Sequence, residues 1–185
     1  QSALKADALE HTHPIEVPVK HPDEIRTIFD LISYQKGSSV IHMLYNYLGP
    51  ADFQSGIRHY LKKHSYENTD TIDLWQALED DSGKPVKDFM GAWTSQSGFP
   101  IINVDLENDH LKISQTKFVT NPASMARQDK DLWPIPLLSE GLEKLIVTKK
   151  NTNVPFSEAP IKLNIGQTGF YRVNYSHDLQ ARQLK

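Results

Sequence analysis

Phe29 to Gly49 reads FDLISYQKGSSVIHMLYNYLG, and its apolar spacing decides how the first half of the chain folds. Beyond Lys36 and Gly37, apolar side chains fall at Val40, Ile41, Met43, Leu44, Tyr47 and Leu48. Steps of three and four bury one face of a helix. Gly49-Pro50 ends it, because proline lacks the N–H a helix needs and clashes with the preceding turn. Tyr34 therefore stands at the mouth of a packed helix rather than in a loose loop. A hydrogen-bond donor in an active site needs such preorganisation. By pattern alone, a tyrosine at this place is an amphipathic boundary residue.

Working outward, the chain reads helical up to Gly98-Phe99-Pro100 and strand-like after it. SALKADAL at the start has the composition of a helix end. His13 to Val19, with prolines at 14 and 18, is extended, since a residue before proline avoids the helical region. Pro50 opens a second long helix whose expected inward face is Phe53, Ile57, Tyr60 and Leu61. Thr69 or Asp70 caps a third carrying Leu74, Trp75 and Leu78, with Asp73 at its positive end. Past Ser82-Gly83-Lys84-Pro85, a fourth aligns Val86, Phe89, Met90 and Trp93.

After Pro100 the period drops to two. Ile102–Leu106 and Leu111–Gln115, joined by Asn108-Asp109, form a hairpin signature. Further strands are expected at Ile135–Ser139, Lys144–Thr148, Ile161–Ile165 and Gly169–Asn174. Six short strands in succession point to a small antiparallel β-sandwich. The expected class is thus α+β, divided into a helical unit 1–98 and a β-sandwich unit 99–185.

Composition excludes several function classes. A net charge of −3 gives no electrostatic footprint for nucleic acid. No apolar run is long enough for a membrane-spanning helix. The absence of cysteine rules out a disulfide framework and a thiol nucleophile, and permits a cytoplasmic home. His11 and His13 form an H-x-H pair with His21 nearby. No acidic-histidine helix supports them, so no metal ligand is assigned in this chain.

Four blocks carry a resemblance to a known family. ISYQKGSSVIHMLYNYLG resembles the S-Y-x-K-G segment of the aminopeptidase N-type zinc metallopeptidases. Asp7-Ala8-Leu9 through His13-Pro14-Ile15 is similar to their D-A-L-x-x-S/T-H-P-I block. YENTDTIDLW from Tyr66, and MGAWTSQSGFP from Met90, are similar to two further family segments. The match runs strongly from about Ala3 to Pro100 and more weakly to GFYRVNY.

The resemblance implies that residues 1–98 are the helical C-terminal portion of a thermolysin-like catalytic domain, and 99–185 the β-domain that follows it. It implies that Tyr34 donates its hydroxyl to the oxyanion of the tetrahedral intermediate, and that Phe29 lines the pocket for the substrate's first side chain. A staple-like contact at the helix entry is the alternative for Phe29. It further implies a zinc cofactor and peptide substrates. The family's H-E-x-x-H helix and GAMEN-type loop do not occur in these 185 residues. The chain is accordingly expected to be a piece of a longer enzyme, with the amino-terminal and zinc-binding segments as its partners, and to be inactive alone. A non-catalytic interaction protein or a β-sandwich binding module is the alternative function.

Overall fold

The computed structural model describes residues 1–121, 131–139, 145–156 and 161–183. Helix α1 spans Ser2–Asp7. An extended stretch with two prolines leads to a short 3-10 turn, Pro22–Glu24, and to α2, Ile25–Ile28. A five-residue π-helical turn, Ile32–Lys36, then runs into α3, Gly37–Leu48. The sequence period places Val40, Met43, Leu44, Tyr47 and Leu48 inward, and all five are buried. Gly49 turns the chain at φ 93°, a conformation that a residue without Cβ adopts freely.

Helix α4, Pro50–Lys63, packs on α5, Thr71–Ser82. Of its expected inward face, Phe53 and Ile57 pack half-buried against the core, but Leu61 is 61% exposed and the fully buried residue is Gly56. The helices approach so closely at Gly56 that a Cβ there would sit 2.7 Å from Leu78 Cδ2 and 2.9 Å from its Cα. Periodicity weights large apolar residues, whereas this contact is made by the smallest one. Asp70 is the cap of α5: its N–H donates to the Asp73 carboxylate at 2.9 Å. Helix α6, Val86–Ser95, buries Val86, Phe89, Met90 and Trp93 as its spacing requires.

Among the described residues the second half holds six strands. They are β1 Pro100–Glu107, β2 His110–Lys117, β3 Ile135–Leu137, β4 Leu145–Val147, β5 Asn151–Pro155 and β6 Arg172–Tyr175. One sheet has the order β5-β2-β1-β6, and β3 pairs with β4. The hairpin, the β2–β5 pair and the β3–β4 pair are antiparallel, while β6 lies parallel to β1. The molecule is therefore α+β, a helical part followed by a small, mostly antiparallel β part.

One expectation in this half needs correction. Residues 161–165 form no strand; Asn164 takes φ 55°, ψ 51°, and the chain enters a 3-10 turn, Ile165–Gln167. The Asn164 amide donates to the carbonyls of Gly169 (3.1 Å) and Tyr171 (3.0 Å) and accepts from Gly169 N–H (2.7 Å), closing a loop where alternation suggested a strand. Ile161 and Leu163 are still buried, which explains the misleading pattern. After β6 the chain forms helix α7, His177–Gln183, anchored by buried Leu179. Lys144, the first residue of another expected strand, lies outside the described residues.

Both halves contribute to one apolar core. Trp93 on α6 meets Trp133 and Phe170 with ring centroids 6.2 and 6.4 Å away, and its indole N–H donates to the Pro134 carbonyl at 3.0 Å. Phe99 meets Phe170 at 5.7 Å. Buried aromatic pairs of this kind add to the burial of apolar area. They join the helical part to the segments that lead into β1, β3 and β6.

Candidate active site

Tyr34 sits in the middle of the π-turn. Gly37 N–H reaches back to the Ile32 carbonyl, the five-residue closure that defines such a turn. The turn is held at both ends. On its amino-terminal side, Asp30 Oδ1 accepts from the backbone N–H groups of Ile32 (2.8 Å) and Ser33 (3.1 Å). The Asp30 carbonyl accepts from Tyr34 N–H at 3.2 Å. Asp30 thus acts as an N-cap, satisfying amides that have no partner within the turn. Its second oxygen, Oδ2, lies 2.8 Å from His13 Nε2.

On the carboxy-terminal side, the fully buried Lys36 ammonium lies 3.0 Å from Asp7 Oδ2. It also donates to the carbonyls of Gln96 (2.8 Å) and Gly98 (3.0 Å). Asp7 Oδ1 accepts from Thr12 Oγ1 at 2.7 Å and from Gly98 N–H at 2.8 Å. Burial pushes the Lys36 ammonium below its usual range, and the neighbouring Asp7 carboxylate opposes that shift. Three of the four sequence blocks therefore converge behind Tyr34. The aspartate and threonine of the first bond each other, the lysine of the second meets that aspartate, and the Gln96–Gly98 backbone of the fourth closes the cage.

Ahead of this framework the tyrosine itself is open. Tyr34 is 61% and Phe29 59% exposed, their rings tilted by 44° with centroids 5.8 Å apart. Leu31 beside them is also exposed. Among the described residues the Tyr34 hydroxyl has no hydrogen-bond partner. A rigidly mounted phenol with a free O–H can donate to an incoming oxygen without first breaking an internal bond.

The three histidines do not gather. His13 joins Asp30, His21 Nδ1 caps its own 3-10 turn through Asp23 N–H at 3.3 Å, and His11 is exposed. Among the described residues no three His, Cys, Asp or Glu side chains converge in a way that could hold a metal. Asp30 and Asp7 are the framework residues that sequence reading passed over. The cap was legible locally, as an aspartate two and three residues before the amides it serves. The pairing of Asp30 with a histidine 17 residues away was not.

Residues 1–93, which hold Asp7, His13, Asp30, Tyr34 and Lys36, match the Peptidase family M1 domain. The chain belongs to peptidase family M1. It is 42% identical to Aminopeptidase M1-A of Oryza sativa subsp. japonica, over 98% of this chain and 22% of that protein. It is likewise 42% identical to Tricorn protease-interacting factor F2 of Thermoplasma volcanium, over 95% of this chain and 22% of that protein. Aminopeptidase 2 of Candida albicans is 43% identical over 95% of this chain and 20% of its own length. This M1 chain thus spans about a fifth of the length of the curated relatives it matches. Among its described residues no helix is long and apolar enough to cross a membrane.

Proposed function

We propose that this M1 chain is part of a zinc-dependent aminopeptidase that removes amino-terminal residues from peptides, and that Tyr34 is its oxyanion-stabilising donor. The observation that carries this reading is the mounting of Tyr34: a solvent-facing phenol on a turn tied by Asp30 at one end and by the buried Lys36–Asp7 pair at the other. When a peptide carbonyl is attacked, negative charge collects on its oxygen. A donor already aimed at that oxygen forms a stronger hydrogen bond to the transition state than to the ground state, and only that difference accelerates the reaction. Phe29, against the Tyr34 ring, offers an apolar wall for the substrate's first side chain.

The residues present do not fit the zinc that the family uses, since no ligand trio forms among the described ones. The ligands belong to sequence outside these 185 residues, as do those that hold the substrate's amine. In this reading the chain alone is inactive, with residues 1–98 completing the catalytic domain and 99–185 forming the unit behind it. Its cysteine-free composition suits a cytoplasmic location.

The test is Tyr34→Phe in the full-length enzyme. Turnover is expected to fall by a hundredfold or more, about 3 kcal/mol, with little change in KM. Near wild-type turnover would remove Tyr34 from the mechanism. A parallel assay of the 185-residue chain with zinc and aminoacyl-arylamides is expected to give neither stoichiometric metal nor product. Turnover there would show that the chain builds a site of its own.

A further inference from the structure

The amino-terminal tether of the tyrosine turn ends in a histidine that the mechanism above does not use. His13 Nε2 is 2.8 Å from Asp30 Oδ2, and His13 Nδ1 is 2.8 Å from the Pro14 carbonyl oxygen. A carboxylate and a carbonyl only accept hydrogen bonds, so both ring nitrogens have to donate. Only the imidazolium carries two N–H groups. In either neutral tautomer one ring lone pair would face an oxygen at contact distance.

The surroundings favour the charged ring. Burial pushes the His13 pKa down, but the hydrogen bonds to Pro14 and Asp30 and the negative charges of Asp30 and Asp7 outweigh it and hold the value above the usual imidazole range. Of the charged and titratable groups around the ring, Asp30 faces it from the turn and Asp7 from the end of α1, with Lys36 behind Asp7. Glu10 and His11 line the same cavity of about 510 Å³. From the ring to the tyrosine there are two links: His13 holds Asp30, and Asp30 holds the backbone of Ile32, Ser33 and Tyr34.

We infer that His13, as an imidazolium, is a positioning residue for Tyr34, acting through Asp30 to fix the turn that aims the phenol. The inference rests on the reading of Tyr34 as the oxyanion donor. Neutral His13 gives up one of its two contacts and loosens its hold on the Asp30 carboxylate. Misplacement of a reacting group by about 1 Å can cost on the order of a hundredfold in rate.

A double-mutant cycle in the full-length enzyme tests it, with wild type, His13→Gln, Tyr34→Phe and the combined variant. Turnover and KM are followed for an aminoacyl-arylamide between about pH 5 and 9, across the range where histidine titrates. His13→Gln is expected to lower kcat roughly tenfold with KM nearly unchanged. In the Tyr34→Phe background the same change should cost nothing further, because the group it positions is gone. The kcat ratio of wild type to His13→Gln should shrink as the pH rises and wild-type His13 loses its proton. An equal cost in both backgrounds, or an unchanged kcat, would overturn the positioning role while leaving Tyr34 in place. A Tyr34→Phe enzyme that turns over normally would instead overturn the reading of Tyr34, and this inference with it. If His13→Gln does not fold, Asp30→Asn takes its place in the cycle. It keeps an acceptor for both turn amides but removes the charge, and the same non-additivity is expected.

Discussion

The two tethers of the tyrosine turn use the same chemistry, a cation on an aspartate, in opposite environments. Lys36 and Asp7 are fully buried and further bonded to the Gln96 and Gly98 backbone and to Thr12. His13 and Asp30 have side chains 30% and 39% exposed. A buried pair derives most of its importance from what remains if one partner is lost, an uncompensated charge away from water. A half-exposed pair is screened, and its Coulomb energy contributes little to stability. The buried tether therefore holds the architecture, and the exposed one leaves the turn adjustable by protonation.

Breaking the buried tether should have the largest effect. Lys36→Met strands Asp7 and is expected to destabilise the chain by about 3–5 kcal/mol in chemical denaturation. Replacing both partners, Lys36→Met with Asp7→Leu, should recover a large part of that loss; no recovery would mean the remaining contacts of Asp7 dominate. Asp30→Ala removes the cap along with the pair, and a loss of about 1–2 kcal/mol is expected from the cap alone. A loss as large as that of Lys36→Met would erase the distinction between the tethers.

The smallest effect is the pH dependence of the exposed pair, under about 1 kcal/mol after screening. The folded pKa of His13 is raised, so its contribution is full below the unfolded value of about 6.5 and disappears as the pH climbs through the folded one. The folded pKa of Asp30 is lowered: burial pushes it up, but the His13 hydrogen bond and the Ser33 and Ile32 amides prevail. Its contribution is present above the unfolded value of about 3.9 and is lost as the pH falls through the folded one. The Tm difference between wild type and His13→Gln should accordingly be greatest between those limits and fade toward alkaline pH. A constant difference would place His13 outside the ionic contact.

The helical part was largely legible in the sequence because α3 and α6 bury their own three-and-four stripes, Val40 to Leu48 and Val86 to Trp93. The π-turn was not, since its five-residue closure depends on Asp30 and on the Lys36 cage. In the β part, Asn151–Pro155 has one buried residue, Val154, and becomes a strand only by pairing with β2. No local pattern announces such an edge. In the site, Tyr34 and Phe29 came forward through family resemblance, whereas the Asp7–Lys36 and His13–Asp30 pairs form only across the fold.

The parallel pairing of β6 on β1 has a consequence for the order in which the chain is made. Ile101 to Val104 pair with Arg172 to Tyr175, so one side of β1 stays without its neighbour until synthesis has passed Tyr175. During that interval the β1–β2 hairpin carries an open edge of unpaired backbone along Ile101 to Val104. Long-range strand pairing is slow, and an open edge invites strands from other chains. A chain that stops before residue 172, or that loses β6 to a protease, keeps that edge of β1 open to strands from other chains.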